Sequence, residues 1–221
     1  GAVLEGLTGL TVAGNGADVV RYRSTEVPTS QTWRSFGLPY VLMDGWVHVR
    51  GAASPVLTIE PGVEVRLAGG HGLWIGYGSA PGGLVAVGTA EQPVRFTSNA
   101  AAVTAGQWGR VGFSVATVAG SRIENAVVEG GGESWDGAVV VYGGAPVLRS
   151  VTFLKNRGSG LRVDGGSPTI EAVTSRENVN AAMSVHGVAP TITGCTLSET
   201  AGDGFGLDVH GGTVTLTDTT M

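Results

Sequence analysis

Charge is scarce in this chain. Asp, Glu, Lys and Arg make up 14% of its 221 residues, where an average soluble domain carries roughly 25%. Lysine occurs once, at Lys155, and aromatic residues amount to 6%. With Lys, Glu and Met all in short supply, the residues that build solvated helices are missing. The 13 basic residues against 18 acidic ones leave a net charge of -5. The arginines are scattered singly, so no nucleic-acid partner is expected. No apolar run approaches the roughly 18 residues of a membrane helix. Cysteine also occurs once, at Cys195, so no intrachain disulfide can form. That fits the cytosol, but equally a secreted protein whose stability comes from regular stacking. The chain opens at Gly1, with neither an initiator Met nor a signal peptide, and reads as a processed segment of something longer.

What is present is glycine, valine and threonine. The 38 glycines keep no third-residue period, which excludes collagen. A hydrophobic content of 42% excludes intrinsic disorder. Val and Thr favour strands, so the composition predicts a mostly β protein.

An internal repeat gives that prediction a geometry. Ala145-Pro146-Val147-Leu148-Arg149 aligns with Ser167-Pro168-Thr169-Ile170-Glu171 and with Ala189-Pro190-Thr191-Ile192-Thr193, so that the three prolines are evenly spaced. Thr213-Val214-Thr215-Leu216-Thr217 reads as a fourth copy, with Gly212 at the proline position. On this register Leu148, Ile170, Ile192 and Val214 share a column. So do Leu161, Met183 and Phe205, and also Val163, Val185 and Leu207. Short alternating strands bounded by Gly and Pro, repeated about every 22 residues without helix, predict an all-β parallel β-helix, a solenoid whose coils pair at about 4.8 Å. Asn156 and Asn178, with Thr200 next, fall at one corner, where an Asn ladder would satisfy backbone groups inside the turn.

The first half follows the pattern less regularly. Leu57–Val65 reads as strand, Pro-Gly turn, strand. Strand-like pieces at 7–12 and 19–22 precede a polar stretch at 24–35 expected to close over the end of the core. The step from Ile123 to Leu148 is longer than the step from Leu148 to Ile170, so 130–137 is expected to be an inserted loop. The whole reads as one domain: an N-terminal strand and capping segment at 1–40, then the β-helix at 41–221, most regular from 145.

Leu57-Thr58-Ile59-Glu60-Pro61-Gly62-Val63, the block from Gly83 through Gly88-Thr89-Ala90 and Pro93-Val94-Arg95-Phe96-Thr97-Ser98, and Gly106-Gln107-Trp108-Gly109 resemble bacterial extracytoplasmic right-handed parallel β-helix repeat proteins. The resemblance runs from about Trp33 to the end. It implies the fold, its right hand, and a secreted or cell-surface setting. That family spans adhesins, surface structural modules and, more distantly, pectate-lyase-like enzymes, so the resemblance implies no particular reaction.

Several residues are candidates for function. Asp164, His186 and Asp208 share an outward column on the same register, and His210 follows Asp208 on the same face of its strand. Two His and two Asp on one face can hold a divalent metal or supply an acid and a base. They equally suit strand ends that solvate a turn beside Gly165 and Gly187. No other column offers the carboxylates and basic residue that a calcium-dependent polysaccharide lyase needs, and no cofactor or metal is expected. Trp135, between Glu133 and Asp136 in the inserted loop, is the candidate to stack on a sugar ring. Trp46, Trp74 and Trp108 lie within strand patterns and are expected to pack, and Cys195 to be an inert buried thiol. Thr191 and Thr193 beneath Thr213 and Thr215 form a Thr-x-Thr array of the ice-binding kind, broken by Glu171 and Arg149. Finally, Thr213, Val214, Thr215, Leu216 and Thr217 end in strand register without a cap, which suggests head-to-tail self-association. The leading expectation is therefore a non-catalytic extracellular structural protein, a rigid rod for a surface layer, adhesin or filament. The alternative is a β-helix that binds a surface polysaccharide or, as a lyase or glycoside hydrolase, cleaves it.

Overall fold

The computed structural model describes residues 14–134, 136–198 and 204–221. The strand expected at 7–12, Trp135 and Thr200 lie outside them. Every paired strand runs parallel to its neighbours, in one sheet of eight strands and one of fourteen. No helix occurs among the described residues. Each coil thus contributes to both sheets and then rises by one strand spacing, which is a parallel β-helix.

Alternation explains the core. In Leu73–Ile75, Val111–Phe113 and Ser159–Val163 every second side chain points inward, and those residues stack in register from coil to coil. One inward column runs Val49, Ile75, Phe113, Val141, Val163 and Val185, all fully buried. In the larger sheet Ile59, Ala86, Ile123, Leu148, Ile170 and Ile192 form another. Each such side chain contributes about 1.5–3 kcal/mol on burial, and the columns join into one cluster along the axis. Cys195 belongs to it; its thiol is buried and its pKa is pushed up by desolvation.

The fourteen-stranded sheet is two ladders joined by a repeated bend. Arg122–Glu129 and Val147–Leu154 run through both, and each passes midway through a residue of left-handed backbone, Asn125 (φ 47°) and Ser150 (φ 54°). The next coils place Ala172 (φ 51°), Gly194 (φ 62°) and Asp218 (φ 49°) at the same position. Asn, Asp and Gly take this conformation readily; Ala does not.

The polar stretch at 24–35 supplies two strands to the stack: Glu26–Val27 pairs with Val47–Val49, and Gln31–Trp33 with Val56–Ile59. Between Arg122–Glu129 and Gly137–Val141 the chain carries three more residues than the next coil does, since Glu129 faces Leu154 while Gly137 faces Ser159.

The last coil corrects the register. Met183 faces Leu207, Val185 faces Val209, and Ile192 faces Leu216, each partner lying two positions beyond the one the even spacing predicts. Phe205 therefore lies beside Ala181 instead of Met183, Leu207 leaves the Val185 column, and Leu216 replaces Val214 over Ile192. Thr191 and Thr193 lie beneath Thr215 and Thr217, not Thr213 and Thr215. The cause is local: the added length falls between Thr196–Leu197, which still keeps the regular step to Thr174–Ser175, and Phe205.

Candidate binding face

The outer surface of the eight-stranded sheet carries an unusual column. Glu26, His48, Trp74 and Gly112 follow one another in register, then Val140, Arg162, Ser184 and Asp208. Trp74 is placed outward because its neighbours Leu73 and Ile75 are both in the core. Its indole lies flat over the next strand, and Gly112 makes the room: a methyl group there would sit 2.8 Å from the ring. Trp46 has the same arrangement with Gly72 and Gly109, each 2.8 Å from its ring by the same measure.

Around Trp74 the rings gather into a small outer layer. Tyr142 stacks on it with centroids 5.4 Å apart and planes at 29°. Tyr77 stands nearly upright to it, at 5.8 Å and 71°. Trp46 is 6.0 Å away on a third side, and His48 meets the edge of Tyr77 at 5.2 Å. Tyr77 is held in a tight turn, its N–H and carbonyl both bonded to Ala80 at 3.0 Å, and it is 48% exposed. Trp46, Trp74 and Tyr142 are half-buried, and Val140 below them is fully buried although it points out of the solenoid. The result is a packed corner in which Trp74 lies between the Gly112 strand, the stacked Tyr142 and the upright Tyr77.

Charged groups border this corner in matched pairs. Arg110 lies above Trp46, 5.9 Å from the ring centre. It donates to the Tyr142 hydroxyl at 2.6 Å and to Ser134 Oγ at 2.7 Å, and pairs with Asp136. Its Nε is buried and has no hydrogen-bond partner among the described residues. Burial holds the Tyr142 hydroxyl above the usual phenol range, so it stays protonated as a hydrogen-bonding group. Arg50 sits over Tyr77 at 5.3 Å and pairs with Glu26; the hydrogen bond from Arg50 lowers the Glu26 pKa. Arg162 bonds Asp164 at 2.7 Å and reaches Asp136 at 3.5 Å.

A family model for the right-handed beta helix region matches residues 62–221. The chain belongs to the right-handed beta helix family. No curated protein and no solved structure matches it.

In this right-handed β-helix the residues singled out from sequence divide. The longer last step puts Asp208 beside Ser184, not His186, and stacks His210 on His186 instead. The two imidazoles lie 4.6 Å apart and almost parallel, at 11°, and His210 Nε2 is 2.9 Å from Asp208. Asp164 is engaged by Arg162. The expected Asp–His–Asp column is therefore two separate polar pairs beside a His stack. No group of three His, Cys, Asp or Glu suited to a metal occurs among the described residues. Of the inserted loop, Asp136 bonds into the aromatic face, Glu133 is exposed with its N–H donated to the Trp108 carbonyl at 3.1 Å, and Trp135 lies outside the described residues. Thr213, Thr215, Leu216 and Thr217 are exposed and Val214 half-buried. Trp108 is fully buried, its indole N–H donating to the Glu129 carbonyl at 2.8 Å, so it packs as expected. Trp46 and Trp74 do not: they lie on the outer face. For Trp74, as for His48, the signal was in the alternation, because Leu-Trp-Ile and Val-His-Val each place a ring between two inward residues.

Proposed function

We propose that this β-helix is a non-catalytic structural module of a bacterial, extracytoplasmic surface: a rigid rod for a surface layer, adhesin or filament. The observation that carries the reading is how its charges are used. Arg149 bridges Glu124 and Glu171 on the coils to either side. Arg21 pairs with Asp44, Arg34 with Glu60, and Arg50 with Glu26, again from coil to coil. Carboxylates committed to stapling neighbouring coils stiffen a rod; a hydrolase or lyase instead needs carboxylates left free to exchange protons with a substrate. End-to-end association belongs to the same reading. A second copy stacked on a coil end would continue the strand pairing.

Size-exclusion chromatography with light scattering, followed by negative-stain imaging, tests both parts. The expected outcome is a narrow rod, with longer multiples as concentration rises. A compact particle of one mass at all concentrations defeats end-to-end association. Release of sugar ends from polysaccharides defeats the non-catalytic reading.

A further inference from the structure

We propose that Asn15-Gly16 is a site of spontaneous covalent modification, at which the Asn15 side-chain amide is lost through a cyclic imide to leave aspartate and isoaspartate. The change is independent of the rod reading.

Asn15 is the only asparagine of the chain followed by glycine. For the imide to form, the backbone nitrogen of the following residue must lose its proton to hydroxide and reach the asparagine Cγ, along a path clear of side chains. Glycine suits this best, because it has no Cβ and lets the backbone rotate into the attacking geometry. The fold leaves the site open. Gly14 to Asp18 are exposed and lie outside the strands. A Cβ at Gly16 would have nothing within 4 Å, and among the described residues no backbone hydrogen bond holds Asn15 or Gly16. The restraint on the side chain is a bond from Asn15 Nδ2 to Asp18 Oδ1 at 3.1 Å; it is exposed, so water competes for both groups.

The same fold protects comparable steps elsewhere. Asn156 and Asn178 are fully buried in their hydrogen-bond ladder, and Asn125 donates to the Gly88 carbonyl at 3.2 Å. An Asp-Gly step can form the same imide, but only from the protonated carboxyl, with water as the leaving group. Asp44, Asp136 and Asp164 each precede glycine. Arginine holds each as a carboxylate: Arg21 for Asp44, Arg110 for Asp136 and Arg162 for Asp164. The Gly165 N–H is also committed, to the Val141 carbonyl at 3.1 Å.

The atoms balance with hydroxide and water alone. Hydroxide takes the Gly16 amide proton, the nitrogen bonds to Asn15 Cγ, and the Cγ–Nδ2 bond breaks. Nδ2 leaves as ammonia, with a proton from water. Water then opens the ring at either carbonyl. Opening at Cγ gives aspartate; opening at the α-carbonyl leaves the chain running through Cγ, as isoaspartate. Nothing is oxidised or reduced. Either product adds one negative charge to the net -5 and puts a carboxylate where Asp18 had a donor. Like charges repel, so the bend ahead of Val20–Arg21, the strand that pairs with Tyr40 and Val41, loses its clasp.

The test is incubation of the whole chain in mildly alkaline buffer, with and without urea. Samples are digested under mildly acidic conditions, which arrest the reaction, and mapped by peptide mass. The peptide carrying Asn15 is expected to gain one mass unit and split into two products of equal mass. One of them accepts a methyl group from S-adenosylmethionine through an isoaspartyl carboxyl methyltransferase. In the folded chain the gain is confined to that peptide, and in urea Asn15 reacts at a comparable rate. Gly16→Ala, which the open space accommodates, is expected to slow the step about tenfold, a barrier rise of about 1.4 kcal/mol. Asn15→Gln removes it. An Asn15 peptide that stays unmodified in the folded chain overturns the proposal. So does reaction seen only in urea, faster reaction at another asparagine of the folded chain, or a Gly16→Ala rate equal to that of the unaltered chain.

Discussion

Asn178 caps Asn156 from the coil above: its Oδ1 accepts both the backbone N–H of Asn156, at 3.0 Å, and the Asn156 side-chain amide, at 2.9 Å. Asn156 passes the pattern down, accepting from the Gly131 N–H at 2.8 Å and donating to the Val128 carbonyl at 3.1 Å. Both side chains are fully buried. A turn facing the core has no water to satisfy its backbone, so this ladder replaces water. Asn178→Ala strips the acceptor from two buried donors, each worth about 1–3 kcal/mol when orphaned. Urea unfolding is expected to show a loss of about 2–4 kcal/mol, and a loss well under about 1 kcal/mol would mean that solvent reaches the turn.

Ala172 presents the opposite case, a residue less suited to its place than its neighbours. It holds φ 51° in the column where Gly194 and Asp218 also stand, and its side chain is exposed. The left-handed conformation costs an alanine roughly 1–2 kcal/mol, and removing an exposed methyl forfeits no packing. Ala172→Gly is therefore expected to raise stability by about 0.5–1 kcal/mol despite the added freedom of glycine in the unfolded chain. An unchanged or lower melting temperature would show that the bend tolerates alanine without strain.

The fold was legible because the solenoid repeats one set of side-chain roles: the even spacing of Pro146, Pro168 and Pro190 carries both the period and the inward columns. What it could not carry was the last coil. Thr213-Val214-Thr215-Leu216-Thr217 alternates so evenly that it fits the column equally well with Val214 or with Leu216 over Ile192, and such a slip keeps every side chain on its own face. Only backbone pairing separates the two registers. The aromatic corner was hidden for another reason. Trp46, the Trp74 and Tyr77 pair, and Tyr142 belong to three different coils, in the part of the chain where coil lengths vary, so no constant period brings them together. The Asn156–Asn178 corner was readable since both sit in the regular half.

The His stack makes stability depend on acid. Desolvation lowers the His186 pKa below its ordinary 6.5; Arg162 and the facing His210 push the same way, against Asp164 and Asp208. Such an imidazole takes up a proton more readily in the unfolded chain, so its contribution is complete above pH about 6.5 and is lost as pH falls through and below that value. The melting temperature is expected to drop between pH 7 and about 5.5, before carboxylates titrate. His186→Gln should flatten that slope. The same slope in the variant would assign it to groups elsewhere.

Gly112 tests whether the outer aromatic layer is separable from the core. A methyl at this position would meet Trp74 at 2.8 Å, closer than carbon atoms approach without repulsion, while the backbone there needs no glycine conformation. Gly112→Ala should therefore leave the solenoid folded but tilt Trp74 off its neighbour, with a red-shifted emission and a stability loss of about 1–3 kcal/mol from overpacking. Removing the ring removes the conflict. In a Trp74→Ala background the same glycine substitution is expected to cost almost nothing, giving a coupling of about 1–3 kcal/mol between the two positions. Additive losses would mean that Gly112 serves the strand itself and that Trp74 rests elsewhere.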